Sequence, residues 1–248
     1  MKRPILVQGA MEVEIEKLKQ ALESVQILNI DGYLFYKGIY KNYPIIVSLT
    51  QIGSINATIS TLLAIKNFSP IYIINQGVSG GQRKEIHQGD LIIGTECKNS
   101  CSRDTLVKPE GAGVNPFEWN IVNFFDKKGI TKYESDDYLV KVAKEESKQY
   151  TKGKVHIGIL GSGDTWDKES DYVIWLNQNL GIISADMESI GTYTVAQKYK
   201  IPVIGIRVIS DNAIVHELYN RNVASYVQEF VLKVLERLIK DKEEKWKQ

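Results

Sequence analysis

The amino-acid sequence predicts an α/β protein, in which a central mixed β-sheet is flanked by helices in a three-layer arrangement. Two observations carry this prediction. Short apolar runs alternate with amphipathic stretches along the 248 residues, as expected when strands and helices follow one another in a layered fold. No Pro/Gly/Ser-rich linker and no internal repeat interrupts the alternation, so we expect residues 1–248 to form a single domain.

The first half of the chain alternates strand-like and helix-like segments. The opening run PILV is a predicted strand. The predicted helix after it extends from Glu12 to about Ser24, with the apolar residues Val13, Leu18, Leu22 and Val25 near one face. YLFYKG and YPIIVSL are β-like runs, and SINATISTLLAIKNF is helix-like, with small residues that allow close packing. IYIIN (71–75), bounded by proline and glycine, suits a buried strand.

The second half continues the same alternation. DLIIGT, KVHIGIL, GIISA and VIGIRVI are predicted strands, with helical patterns over 138–149, 172–179 and 189–199. Apolar residues at helical spacing over 223–240 predict a long packing helix at the end. Residues 97–135 are the least regular, and we expect a lid, a binding loop or a partner-contacting insertion there.

Composition argues against several classes of partner. With 31 basic and 30 acidic residues, no broad field favours nucleic acid or an anionic membrane, and no apolar run approaches membrane-spanning length. The two cysteines, Cys97 and Cys101, and the scattered histidines lack the spacing of a zinc site, so we expect no metal and no cofactor. A disulfide framework has no support either, which makes a reducing cytoplasm the simplest location.

Polar clusters follow five of the predicted strands: GAMEVE, QGVSGG, GSGDTW, DMES and SDNA. In open α/β sheets the carboxyl ends of strands form the rim where ligands bind. Neither glycine-rich turn matches a P-loop or a dinucleotide fingerprint. Three carboxylates on this rim are chemical candidates: Glu12, Glu188 and Asp211. Each has an ordinary alternative role, as a first-turn carboxylate or an N-cap. Together they suit chemistry in which one carboxylate activates water while another acid protonates a leaving group.

This combination of motifs resembles the purine nucleoside phosphorylase/uridine phosphorylase superfamily, and within it the 5'-methylthioadenosine/S-adenosylhomocysteine nucleosidases. The likeness covers nearly the whole chain and is weakest over 97–135. It implies that Glu12 activates the attacking water, that Asp211 protonates purine N7, and that Glu188 binds the ribose hydroxyls. Trp166 stands where the family usually has a phenylalanine that stacks on the base. The further residues that the resemblance implies in substrate binding are Met11, Ile52, Val78, Ser79, Gly80, Asp167, Met187, Arg207 and Ser210.

The chemistry of N-glycosidic cleavage explains these roles. Positive charge builds on the ribose and negative charge on the departing base. Asp211 must therefore hold a proton near neutral pH, whereas Glu12 must be ionised to accept one from water. Glu188 accepts hydrogen bonds from a cis-diol, for which a carboxylate is well shaped.

The resemblance implies a small purine nucleoside as partner, a role in methionine salvage, and a homodimer. Two alternatives stay open: a phosphate-dependent purine nucleoside phosphorylase, and a non-catalytic nucleoside-binding or storage protein. The acidic residue in the first loop disfavours phosphate, although Arg83 or Arg103 could fold toward the site. Adenosine, inosine, methylthioadenosine and homocysteine conjugates all remain candidate substrates.

Overall fold

The computed structural model describes residues 2–123 and 129–246. Within them the strands are β1 (Ile5–Gly9), β2 (Glu23–Ile30), β3 (Tyr33–Tyr40), β4 (Tyr43–Leu49), β5 (Tyr72–Gly81), β6 (Leu91–Asn99), β7 (Arg103–Asp104), β8 (Asn120–Ile121), β9 (Lys132–Glu134), β10 (Val155–Ser162), β11 (Ile182–Asp186) and β12 (Val203–Asp211). The α-helices are α1 (Glu12–Gln20), α2 (Ser54–Phe68), α3 (Asp137–Glu146), α4 (Ser170–Leu180), α5 (Ser189–Tyr199) and α6 (Ala224–Trp246). None of the helices in these two ranges is long and apolar enough to cross a membrane.

The main sheet has the strand order β11-β10-β6-β12-β5-β1-β4-β3-β2, with β9 added beside β6. It is mixed. Strand β1 runs parallel to β4 and β5, and β5 runs parallel to β12, whereas β12 and β6 are antiparallel. The predicted mixed α/β sheet is therefore confirmed.

Two apolar cores separate the sheet from helices on its two sides. One core combines α1, α3 and α6, through residues such as Leu18, Leu139 and Val231, with side chains of the sheet. The other combines α2 and α5, through Ala64 and Tyr193, with the opposite sheet face. Helices on both faces explain why the central strands are continuous apolar runs.

One end of the sheet closes on itself. Strand β11 pairs with β10 and also antiparallel with the end of β5, where Ala185 faces Gly80. Because β5, β12, β6, β10 and β11 then form a closed ring, the polar carboxyl ends of β5, β11 and β12 meet at one rim. The candidate site described below lies at this rim.

The structure corrects two details of the expected elements. The first helix ends at Gln20, and the edge strand β2 begins at Glu23, where the helix was expected to continue to about Ser24. Residues of β2 are mostly exposed, so apolar periodicity carried little information about this strand. In the irregular segment, β7 and β8 form a small ribbon and β9 pairs with β6; part of that segment, 124–128, lies outside the described residues.

Candidate active site

A cavity of about 310 Å³ opens at the rim formed by the ends of β1, β5, β11 and β12. Most of the residues predicted from the sequence line it together. The lining residues are Ala10, Met11, Glu14, Ile52, Val78, Ser79, Gly80, Thr165, Trp166, Ala185, Asp186, Met187, Glu188, Ser210, Asp211 and Tyr219.

Glu14 is the acidic residue of the first helix that reaches the cavity. One carboxylate oxygen accepts the backbone N–H groups of Ala10 and Met11 at 2.8 and 2.9 Å, and the other accepts that of Val78 at 2.8 Å. These three donors favour the ionised form, but burial opposes it more strongly and raises the pKa of Glu14. A fixed, buried carboxylate with a raised pKa is suited to accept a proton near neutral pH.

Glycine at position 77 makes room for this carboxylate. A Cβ atom at Gly77 would lie 2.5 Å from Glu14 Oε1, closer than non-bonded atoms approach. The glycine-rich segment that the sequence predicted as a turn lies within β5 (Tyr72–Gly81). Glycine at position 77 is required there by the packing of Glu14 against the strand.

Glu12 does not reach the cavity, so the expected place of this residue in the site is wrong. Its side chain is 56% exposed and forms an ion pair with Lys19 on the outer face of α1. The physical reason is helix geometry: residues two apart point about 200° from one another. Once Glu14 faces the sheet, Glu12 must face solvent.

Glu188 lies at the start of α5, and its Oε1 accepts the backbone N–H of Gly53 at 2.9 Å. Gly53 has φ of 103°, a left-handed conformation that favours glycine. Burial, and then the nearby charges of Asp186 and Glu14, raise the pKa of Glu188 to about 8. Glu188 lies in the cavity wall. Within the described residues, only one of its two carboxyl oxygens accepts a hydrogen bond from the protein.

Asp186 fixes the turn that presents Glu188. Its Oδ1 accepts the backbone N–H groups of Glu188 and Ser189 at 2.9 and 2.8 Å, together with the hydroxyl of Ser162 at 2.9 Å. In the sequence DMES, Asp186 is thus a structural carboxylate, whereas Glu188 accepts fewer hydrogen bonds from the protein and faces the cavity.

Arg207 was expected to contact the substrate, but it does not line the cavity. The side chain is 1% exposed, and its guanidinium is occupied by protein partners. Nε lies 3.2 Å from Asp186 Oδ2, and the other nitrogens donate to the backbone oxygen of Asn75 at 2.8 Å and to Ser189 Oγ at 2.8 Å. Arg207 therefore supports the acidic wall from behind, where it is the buried counter-charge of Asp186.

Asp211 stands at the end of β12 with a donor on each carboxylate oxygen. The hydroxyl of Ser210 donates to Oδ1 at 2.6 Å, and the indole N–H of Trp166 donates to Oδ2 at 3.1 Å. Tyr219 packs edge-on against Trp166, with the ring centroids 5.6 Å apart. Two aromatic side chains thus border the opening beside the candidate acid.

Ten predicted site residues come together at the cavity wall, whereas Glu12, Asp167 and Arg207 do not. Asp167, whose backbone the family resemblance implies in hydrogen bonds to the base edge, follows Trp166, and burial raises the pKa of its carboxyl. The sequence reasoning missed Glu14 and Tyr219. For Glu14 a signal was present, because it stands four residues before Leu18 and eight before Leu22, on the predicted apolar face. We find no comparable signal for Tyr219.

The chain is similar to known proteins over nearly its whole length. The family model of the phosphorylase superfamily matches residues 4–240. A 5'-methylthioadenosine/S-adenosylhomocysteine nucleosidase of Buchnera aphidicola subsp. Schizaphis graminum is 31% identical over 237 residues, which are 92% of this chain and 93% of the relative. The nucleosidase of the same name from Bacillus pumilus is 28% identical over 210 residues, 84% of this chain and 86% of the relative.

Among solved structures, the Neisseria meningitidis 5'-methylthioadenosine/S-adenosylhomocysteine nucleosidase in complex with methylthio-immucillin-A superposes with a TM-score of 0.78 at 25% identity. The match covers 94% of this chain and 98% of that one. The family model, the sequence relatives and the shared architecture agree, and the resemblance found in the sequence motifs is confirmed: the chain belongs to the phosphorylase superfamily.

Proposed function

We propose that this protein hydrolyses the N-glycosidic bond of 5'-methylthioadenosine or S-adenosylhomocysteine and releases adenine. The observation that carries the proposal is the grouping of Glu14, Glu188 and Asp211 around one cavity of about 310 Å³. The named nucleosidase relatives support the reaction class.

Each of the three carboxyl groups has a separate task. Glu14 accepts a proton from water as the water oxygen bonds to the anomeric carbon, and its charge stabilises the cationic ribose. Glu188 accepts hydrogen bonds from the ribose hydroxyls. Asp211 donates a proton to N7 of the purine, so the bonding electron pair leaves with a neutral base. Glu14 replaces Glu12 in the role that the sequence motif suggested.

The charge of the cavity wall supports water rather than phosphate as the nucleophile. Of the described residues that line the cavity, four are acidic and none is Lys or Arg. Arg83 lies near Glu85, and Arg103 stacks over the ring of Trp119 at 4.0 Å; neither lines the cavity. No Lys or Arg side chain among these described lining residues is therefore placed to neutralise a phosphate dianion.

Adenine release from 5'-methylthioadenosine in buffer with and without phosphate tests the proposal. We expect equal rates in both buffers. Strict dependence on phosphate would instead make the protein a phosphorylase. Binding of the nucleoside without release of base would favour the storage or binding protein.

We also propose that the protein is a homodimer. Helix α2 exposes an apolar stripe, Ile55, Ile59 and Leu62, which continues toward Ile52 at the cavity opening. A second copy covering this stripe would remove it from water and narrow the opening beside Ile52. Light scattering of the wild type should give the mass of two chains, and Ile55→Asp should give one. A monomeric wild type at micromolar concentration would refute the dimer.

For its location we propose the cytoplasm. Cys97 and Cys101 are both free, which is compatible with a reducing compartment. Fractionation of cells expressing the native gene should recover the protein with cytoplasmic markers; recovery with secreted proteins would contradict this.

A further inference from the structure

We propose that the indole N–H of Trp166 assists proton delivery by Asp211, in addition to any contact that the ring makes with the base. The inference rests on the proposed function, because it assigns Asp211 the role of general acid. Its basis is a single contact: Trp166 Nε1 donates to Asp211 Oδ2 at 3.1 Å, while Ser210 donates to Oδ1 at 2.6 Å. Trp166 is therefore a positioning residue for the acid.

The indole is held in place by neighbouring side chains rather than by burial. Trp166 is 52% exposed, yet Lys168 Nζ lies 4.1 Å from its ring centroid, and Tyr219 packs edge-on at an interplanar angle of 76°. A cation over the π face draws electron density from the ring, which makes the indole N–H a better donor. These contacts fix the direction in which Nε1 points, toward Asp211.

The strength of the hydrogen bond from Trp166 to Asp211 changes during the reaction. Before proton transfer, the indole donates to a neutral carboxylic acid. As the Asp211 proton moves to purine N7 and the glycosidic electron pair passes to the base, the acid becomes a carboxylate. Glu14 meanwhile takes the proton of the attacking water. A hydrogen bond to a charged oxygen is about twice as strong as one to a neutral oxygen. The indole N–H therefore stabilises the transition state more than the bound substrate, which raises kcat and leaves KM nearly unchanged.

Phenylalanine separates this role from base stacking. Trp166→Phe keeps an aromatic face and removes the N–H donor. Trp175→Phe is the matched control, because Trp175 stacks on Tyr172 at 5.8 Å and does not line the cavity. Asp211→Asn removes the acid itself.

The test compares these three variants and the wild type on two substrates: 5'-methylthioadenosine and an N7-methylated purine nucleoside. The methylated base carries a positive charge and departs without accepting a proton. With 5'-methylthioadenosine, we expect Trp166→Phe to lower kcat about fivefold and to change KM less than about twofold. With the N7-methylated nucleoside, its kcat should match that of the wild type. Asp211→Asn should show the same selectivity with a larger loss, and Trp175→Phe should show no loss on either substrate.

Other outcomes overturn the proposal in distinguishable ways. If Trp166→Phe slows both substrates equally, or slows neither, the indole N–H has no role through Asp211. If Trp166→Phe fails in this way but Asp211→Asn still loses kcat only with 5'-methylthioadenosine, the proposed function stands and only this inference fails. If the wild type releases base from neither nucleoside, both fail together.

Discussion

Replacing Glu14 with glutamine distinguishes the two acidic residues at the start of α1. The amide is nearly isosteric, but it has one acceptor oxygen where the carboxylate has two. If the amide oxygen of the glutamine points toward Ala10 and Met11, it still accepts their two backbone N–H groups, which are two of the three backbone hydrogen bonds. The NH2 group then faces the N–H of Val78, which loses its acceptor.

The structure sets the size of both effects. An unsatisfied buried donor costs about 1–3 kcal/mol, and the neutral amide avoids the penalty for burying a charge. We therefore expect the free energy of unfolding to fall by about 1 kcal/mol. The loss of a general base should lower kcat by a factor of about 10² to 10⁴. Glu12→Gln loses an exposed ion pair with Lys19, while the amide oxygen can still accept the Tyr36 hydroxyl. We therefore expect kcat to stay within about twofold and stability within about 1 kcal/mol.

The assay is adenine release from 5'-methylthioadenosine, with urea unfolding measured on the same preparations. Glu12→Gln serves as the matched control, because it makes the same chemical change on the outer face of the same helix. The reasoning would be refuted if Glu12→Gln abolished release while Glu14→Gln, folded as judged by its unfolding transition, retained it.

Three further predictions concern residues that line the cavity or support its wall. Gly77→Ala places a Cβ 2.5 Å from Glu14 Oε1, so we expect a loss of at least about tenfold in kcat, and wild-type kinetics would contradict the close contact. Because the pKa of Glu188 is raised to about 8 from 4.5, the folded state favours its protonated form; its contribution to stability is present at low pH and is lost as pH rises through about 8. Thermal unfolding from pH 6 to 9 should therefore decline less steeply in Glu188→Gln than in the wild type, and equal slopes would remove Glu188 as the cause. Arg207→Met leaves Asp186 as a buried charge without its ion-pair partner, and denaturant unfolding should show a loss of about 3–5 kcal/mol; a loss below about 1 kcal/mol would show that the pair is not a structural necessity.

The order of strands and helices was largely predictable from the sequence, because the buried central strands are continuous apolar runs and the helices are amphipathic. The predicted segment SINATISTLLAIKNF coincides with α2 (Ser54–Phe68). Strand β2 was missed, since Val25 and Ile27 are exposed at the edge of the sheet. It is held by the hairpin pairing with β3, which extends from Ile30 opposite Tyr33 to Glu23 opposite Ile39, and an exposed edge strand of this kind carries no apolar periodicity of its own.

The candidate site was predictable as a set of rim segments but not always as individual side chains. The motif GAMEVE correctly indicated an acidic residue near the cavity, yet it contains two, and the orientation of α1 decides between them. Tyr219 follows a short 3-10 turn (Ala213–Val215) rather than a strand, so its position at the cavity depends on how that loop folds back. The role of Arg207 was likewise decided by burial, which residue type alone does not determine.

Hydrolysis of 5'-methylthioadenosine in oxygen-18 water tests the central claim most directly. Mass spectrometry of the products should show adenine and a free 5-methylthioribose that carries one oxygen-18 atom, formed at the same rate whether or not phosphate is present. A sugar 1-phosphate as the product, or no adenine at all, would contradict water attack at this cavity.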